Sequence, residues 1–134
     1  MISVLSISAF ADVKFAKFNY KIYKNAKVDA EYSGDICMNL PKAALLKPYD
    51  SAQPTVMIQG NFAYLIDYRL EQITKINIHN HPLYQKLSEN NHKFCYQTTD
   101  LKHCINIYQI SNHNCQLSLK FPQNFDFQGE IHAQ

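Results

Sequence analysis

Apolar and polar side chains alternate along most of the chain, and this period of two predicts β-strands with one buried face. Val28, Ala30 and Tyr32, for example, alternate with Asp29 and Glu31. Further alternating runs lie at residues 36–40, 63–68, 75–78, 116–121 and 125–131. Turn-forming clusters separate the runs, at residues 25–26, 59–61, 90–91, 111–114 and 122–124. Short, regularly spaced strands of this kind predict an antiparallel meander.

Three segments depart from plain alternation. Residues 82–87 begin with proline and carry apolar side chains at helical spacing, which predicts a short helix. Residues 41–46 form a weaker helical candidate that fits a loop equally well. The dipeptide Ser33-Gly34 predicts a bulge or bend within its strand. Because a curved sheet needs its concave side covered, the helix at 82–87 is predicted to act as a lid.

Composition narrows the class of protein. The chain has 134 residues, of which 46% are hydrophobic, and this suffices for one domain with a buried core. It carries 13 Lys and Arg against 11 Asp and Glu, for a formal net charge of +2. This balance excludes an electrostatic nucleic-acid binder, which needs a dense basic patch. No apolar run of the sequence approaches the roughly 18 residues of a membrane-spanning helix.

The first eleven residues are uncharged and apolar or small, and they end in Ala9-Phe10-Ala11. Signal peptidase accepts small residues at this spacing, so residues 1–11 are predicted to be the remnant of a secretory signal. A first strand is the alternative, because no basic segment precedes the apolar stretch. Residues 12–134 are then predicted to form a single domain.

The chain has four cysteines, Cys37, Cys95, Cys104 and Cys115. None stands in a CxxC pair, which argues against a zinc ribbon or a thioredoxin-like site. An even number in an exported chain permits disulfides. Cys95 can pair with Cys104 across the turn at residues 98–100, and Cys104 can equally pair with Cys115. Four buried free thiols are the open alternative.

The sequence carries none of the common catalytic motifs: it lacks GxSxG, a glycine-rich phosphate loop and HExxH. His79 and His81 have the spacing of two metal ligands on a strand, but no third ligand stands nearby, and exposed loop histidines are the simpler interpretation. Asp67 and Glu71 neighbour basic residues, which fits surface ion pairs. We therefore predict a protein that is not an enzyme and needs no metal or cofactor. Apolar strand faces with few polar groups favour a carrier of apolar ligands.

Residues 34–74 resemble the periplasmic outer-membrane lipoprotein carrier family (LolA). Gly34 to Met38 is similar to the family's Gly-x-aliphatic strand, and Gly60 stands at its turn glycine. Residues 62–68 resemble the strand "dG-x-x-Leu-Trp-x-Tyr-Asp", with Tyr64 in the tryptophan position. Residues 70–74 resemble "x-Glu-Gln-Val-Thr", and residues 81–87 resemble the lid helix "x-Pro-Leu-x-x-Leu-Leu".

This resemblance implies a mainly β fold with a few helices, in which a curved antiparallel sheet forms an incomplete half β-barrel with a helical lid on its concave side. It implies a carrier in the periplasm of a Gram-negative bacterium that holds the acyl chains of lipoproteins. The carrier would take acylated lipoproteins from an inner-membrane lipoprotein-releasing transporter and pass them to an outer-membrane receptor, without a cofactor. The lipid-binding cavity and lid would include Ile58, Tyr64, Ile66, Ile73, Leu83 and Leu87.

Two departures from the family pattern leave a second hypothesis open. Leu40 occupies the position at which family members carry a basic residue that controls the lid. The chain also ends before the family's last strands, which predicts an extra exposed edge strand. A non-catalytic envelope module, acting as a weak homodimer or binding another protein, is therefore the alternative to a monomeric carrier.

Overall fold

The computed structural model describes residues 13–39, 42–82, 85–86, 89 and 92–132, with the side chains of residues 129–132 left out. The predicted signal remnant at residues 1–11 therefore lies outside the described residues. Nine strands follow along the described chain: β1 Lys14–Lys24, β2 Lys27–Asn39, β3 Ala43–Pro48, β4 Thr55–Gln59, β5 Phe62–Asp67, β6 Gln72–Asn77, β7 Lys93–Gln97, β8 Lys102–Ser111 and β9 Asp126–His132. The prediction of a mainly β fold is confirmed.

The strands form one open sheet in the order β7-β8-β1-β2-β3-β4-β5-β6-β9. Strands β1 to β6 make the predicted antiparallel meander, and β7 and β8 add a further hairpin beside β1. Strand β9 departs from the meander because it lies parallel to β6. The turn at Asn25 and Ala26 has positive φ at both residues, 52° and 65°, as a tight two-residue hairpin with the twist of the flanking strands requires.

Little helix is present in the part of the chain that the structure describes. Residues 82, 85 and 86 are helical, and the amides of Gln85 and Glu89 donate hydrogen bonds to the carbonyls of His81 and Gln85 at 3.2 and 3.1 Å. No helix among these residues is long and apolar enough to cross a membrane.

The weaker helical prediction at residues 41–46 is wrong, because Ala43–Pro48 is β3. This strand lies in the middle of the sheet between β2 and β4, and Ala44, Leu45 and Leu46 are all buried. A strand buried on both faces has a continuous apolar run, and such a run does not differ in pattern from a buried helix.

The bulge predicted at Ser33-Gly34 is also misplaced. Gly34 pairs in regular register with Phe18 of β1 and Pro48 of β3. The register between β1 and β2 shifts instead near their hairpin, where Tyr23 pairs with Val28 after Ile22 has paired with Ala30. The glycine is needed for a close approach between strands rather than for a bend.

The sheet curls strongly about one face. Strands β6 and β7 are separated by six others, and at about 4.8 Å per strand spacing a flat sheet would hold them roughly 34 Å apart. The ring of His81, four residues beyond β6, nevertheless contacts the ring of Tyr96 on β7 at a centroid distance of 5.4 Å. Because four residues span at most about 14 Å, the two sides of the sheet must bend toward each other.

Each face of the sheet carries a separate hydrophobic cluster. The concave face holds the larger one, which draws on strands from β1 to β8 and includes Phe18, Ile36, Ile58, Ala63, Phe94 and Ile105. The opposite face holds Leu45, Met57, Ile66 and Ile73, covered by Tyr64, Leu119, Phe121 and Phe125.

The segment after β8 covers this second cluster without being a strand. Residues 117–121 alternate between half-buried and exposed positions, as the sequence predicted, but they form no ladder with the sheet. A disulfide between Cys37 and Cys115 ties this covering segment to β2. The predicted strand at residues 116–121 is therefore wrong, although its apolar side chains Leu119 and Phe121 do pack against the second cluster.

Candidate functional site

An apolar cavity of about 350 Å³ lies on the concave face of the sheet. This volume falls within the range of small-ligand sites, which are concave, mostly apolar and served by a few polar groups. Its apolar wall includes Phe18, Ile36, Leu46, Val56, Leu65 and Ile76. The wall therefore draws on β1 to β6, so the cavity depends on the curl of the whole sheet.

The structure divides the predicted cavity residues between the two faces. Ile58 lies in the cluster of the concave face. Tyr64, Ile66 and Ile73 lie on the opposite face, so the prediction that they line the cavity is wrong. Leu83, Leu87 and the predicted lid-control residue Leu40 lie outside the described residues.

The error at β5 is a shift of one residue. Ala63 and Leu65 line the cavity, and Tyr64 and Ile66 between them point to the other side. A slip of one position exchanges the two faces of a strand. Alternation alone does not choose between them here, because Phe121 and the rest of the covering segment bury the second face as well.

Polar side chains are concentrated at one end of the cavity, where β7, β8, β1 and β2 lie side by side. Tyr20 pairs with Tyr32 in the β1–β2 ladder, and Tyr96 pairs with His103 in the β7–β8 ladder. Side chains directly opposite each other in an antiparallel pair share a face. Thr98, in the turn after β7, completes this group, which we call the Tyr–His cluster (Tyr20, Tyr32, Tyr96, Thr98 and His103).

Ring stacking and hydrogen bonds join the members of the Tyr–His cluster. The rings of Tyr20 and Tyr32 stack at 5.3 Å, and those of Tyr96 and His103 stack at 4.8 Å. The Tyr20 hydroxyl is 2.9 Å from the Tyr96 hydroxyl and 2.8 Å from Nδ1 of His103. Nε2 of His103 is 2.9 Å from Oγ1 of Thr98. Four members of the cluster thus form a continuous hydrogen-bonded chain beside the cavity, and Tyr32 stacks on it through Tyr20.

Burial makes every ionised form at this end unfavourable. It raises the pKa of Tyr32 to about 12 and raises the pKa values of Tyr20 and Tyr96 as well. It also lowers the pKa of His103 and, together with the nearby His103, the pKa of His81. At neutral pH the site therefore presents neutral hydrogen-bonding groups.

The Tyr–His cluster is not among the sites predicted from the sequence. Its signal is the alternation of Phe94 and Tyr96 on β7, continued by Thr98 in the turn, and of His103 and Ile105 on β8. These runs are short and polar at their ends. Only the pairing of β8 with β1 brings them beside Tyr20.

The His79 and His81 pair separates in the structure. His79 is exposed, whereas His81 is half-buried and lines the cavity, so the interpretation of both as exposed loop histidines is wrong for His81. No group of three or more His, Cys, Asp or Glu side chains that could hold a metal ion occurs among residues the structure describes.

The structure also pairs the four cysteines. Cys95 and Cys104 lie opposite each other on β7 and β8 and form a disulfide, one of the two pairings named from the sequence. Cys37 forms the second disulfide with Cys115, which lies 78 residues away along the chain. The alternative of four free thiols is therefore wrong.

We expect two histidines, His81 in the cavity wall and His103 in the Tyr–His cluster beside it, to make the protein less stable in mild acid. Their folded-state pKa values lie below the ordinary 6.5, so near this pH the unfolded chain binds more protons than the folded one. Their contribution to stability is thus fully present above pH 6.5 and is lost as the pH falls from 6.5 through the folded-state values. Urea unfolding between pH 7.5 and 5 measures this loss.

Two variants distinguish the loss of stability caused by these histidines from the loss caused by carboxylates, which are also protonated as the pH falls. His81→Gln/His103→Gln should lose less stability on acidification than the native chain, and His113→Gln, at an exposed position, should follow the native profile. Equal pH profiles for all three proteins would contradict the assignment.

Comparison with protein-family models found no match to this chain, and comparison with curated protein sequences found none either.

Proposed function

We propose that this protein is a non-catalytic carrier that binds the acyl chains of lipoproteins in the cavity of its curled sheet. The observation that carries the proposal is the cavity itself, which has an apolar wall and one polar end. An acyl chain has the matching form, because it joins many methylenes to one polar linkage. Burying each methylene contributes about 0.8 kcal/mol, so partial insertion of one chain already yields useful affinity.

In this proposal the curled sheet acts as the incomplete half-barrel of the family that residues 34–74 resemble. Two features support this interpretation: the approach of β6 and β7 through His81 and Tyr96, and the helical residues that follow His81 at the cavity. The helical lid that the sequence predicts at residues 82–87 is part of the same proposal.

The periplasm is the proposed location. The two disulfides support it, because such bonds form and persist in oxidising compartments such as the bacterial periplasm. On the basis of the same resemblance, we propose that the protein delivers acylated lipoproteins from an inner-membrane transporter to an outer-membrane receptor. With Leu40 at the lid-control position, lid movement in this protein would not depend on a basic residue there.

Displacement of a fluorescent apolar probe tests the carrier function. A triacylated lipopeptide should displace the probe at micromolar concentration, and the same peptide without acyl chains should not. Failure of both the probe and the lipopeptide to bind would overturn the proposal. Displacement by the deacylated peptide would indicate peptide recognition instead.

A pair of variants on β5 locates the binding site. Leu65→Trp fills part of the cavity and should weaken lipopeptide binding about fiftyfold, if the larger ring excludes some three methylenes. Tyr64→Trp, on the neighbouring residue and the opposite face, should leave affinity unchanged. If Tyr64→Trp weakens binding and Leu65→Trp does not, the ligand lies on the other face.

One observation favours the alternative of an envelope interaction module. Strand β9 is an edge of the sheet, and Phe127 on it is 56% exposed. An edge strand with an exposed apolar side chain can pair with another chain. Light scattering that shows a concentration-dependent dimer, in a protein that binds no acyl probe, would make this the better interpretation.

A further inference from the structure

We infer that the cavity selects a chain whose head is a neutral hydrogen-bond acceptor, an ester or amide carbonyl, and that the Tyr96 hydroxyl binds this head. The inference rests on the proposed carrier function and adds a chemical preference to it. Tyr20, Tyr96 and Thr98 line the cavity at the end where the Tyr–His cluster lies, while the rest of the wall is mainly apolar. A bound chain thus has one end at which a polar head finds partners.

A count of protons shows why the head should be an acceptor. The hydrogen-bonded chain runs from Tyr96 through Tyr20 and His103 to Thr98, with three hydrogen bonds between four groups. Each of the four groups has one proton that it can donate to a hydrogen bond when the imidazole is neutral. Three bonds use three protons, so the fourth must go to an acceptor outside the chain, at one end or the other.

The two ends differ in what they offer to this fourth proton. At the Thr98 end the acceptor is the carbonyl of Leu101, at 3.5 Å, which already accepts the Thr98 amide at 2.9 Å. A contact of 3.5 Å is at the limit of a hydrogen bond. At the Tyr96 end the proton is available to the cavity. A ligand carbonyl there would orient the whole chain, with Thr98 donating to His103, His103 to Tyr20, and Tyr20 to Tyr96.

The charge of the site favours a neutral head over a carboxylate. Among the described residues that line the cavity there is no Lys or Arg, and His81 is the titratable base. Burial keeps His81 and His103 neutral at pH 7 by lowering their pKa values. A buried carboxylate without a cation is strongly unfavourable, whereas an ester or amide carbonyl needs only the one donor that Tyr96 supplies.

Displacement of the apolar probe by four ligands of matched chain length tests this inference. The ligands are methyl decanoate, N-methyl decanamide, decanoate and undecane, at pH 7.5. Decanoate should bind more weakly than the ester and the amide, because its charge would be buried without a cation. Undecane has no polar head and gives the affinity of the chain alone.

Tyr96→Phe removes the donor and retains the ring that stacks on His103. This variant should bind the ester and the amide about fivefold more weakly than the native protein does, as expected for the loss of one net hydrogen bond, and it should bind the alkane with unchanged affinity. Tyr108→Phe, an exposed tyrosine on β8, is the matched control and should keep the native affinity for all four ligands.

The outcomes separate this inference from the carrier function on which it rests. If no ligand of the series displaces the probe, the carrier proposal itself fails. If decanoate binds the native protein as tightly as the ester and the amide do, the cavity does not select a neutral head and the head-group inference fails alone. If Tyr96→Phe binds the ester and the amide as tightly as the native protein does, the inference is also overturned, because Tyr96 is then not the donor.

Discussion

Replacing Gly34 by alanine is expected to destabilise the fold by about 3 kcal/mol or more, because the new methyl group has no space between two strands. Gly34 lies inside β2 and pairs with Phe18 on one side and Pro48 on the other. A Cβ at this position would overlap the carbonyl oxygen of Lys47 and lie 2.7 Å from Cα of Pro48. Both are backbone atoms and cannot rotate away, so β2 and β3 would have to separate.

Gly60 provides the matched control for this substitution. It lies in the turn between β4 and β5 with φ of +59°, and a Cβ there would meet nothing within 4 Å. Gly60→Ala should therefore cost only the strain of a left-handed residue, about 1–2 kcal/mol. Urea unfolding followed by circular dichroism compares the two variants. Equal losses would contradict the close approach of β2 and β3.

Removing the disulfide between Cys37 and Cys115 is expected to lower the free energy of unfolding by about 4.5 kcal/mol. The two cysteines are 78 residues apart, so the bond removes much conformational entropy from the unfolded chain. It also holds the covering segment, with Leu119 and Phe121, on the second hydrophobic cluster. This loss is a large part of the free energy of unfolding of a typical protein, which is about 5–15 kcal/mol.

The second disulfide is the internal control. Cys95 and Cys104 are nine residues apart, and removing their bond should cost only about 2.5 kcal/mol. Cys37→Ala/Cys115→Ala and Cys95→Ala/Cys104→Ala are compared by urea unfolding without reductant. Hydrogen exchange should also show faster exchange in β3 to β6 in the first variant alone. A larger loss from the shorter loop would contradict this account.

Short-range pattern in the sequence was sufficient for four of the nine strands of the described residues and for several turns. Alternation identified β2, β5, β6 and β9, and the turns at residues 25–26 and 59–61 lie where glycine, asparagine and small residues predicted them. Burial of one face is a local property of a strand, because successive side chains point to opposite sides. The same signal failed for β3, where both faces are buried, and for residues 117–121, which alternate without joining the sheet.

The candidate site depended on contacts that no local pattern contains. Whether Leu65 or Tyr64 faces the cavity is decided by which face the covering segment occupies, and that segment is joined to β2 through Cys115. The Tyr–His cluster exists because β8 pairs with β1, which brings His103 to Tyr20 across 83 residues.

The sequence by itself therefore determined a β-rich chain with enough apolar side chains for a core, the position of several turns and the absence of common catalytic motifs. These properties follow from side-chain periodicity and turn chemistry over a few residues. Only the tertiary structure decided the face of each strand, the partners of the cysteines and the position of the polar end of the cavity. Each of these depends on contacts between strands that are distant in sequence. The free energy of such contacts comes from both partners, so no single segment of the sequence determines it.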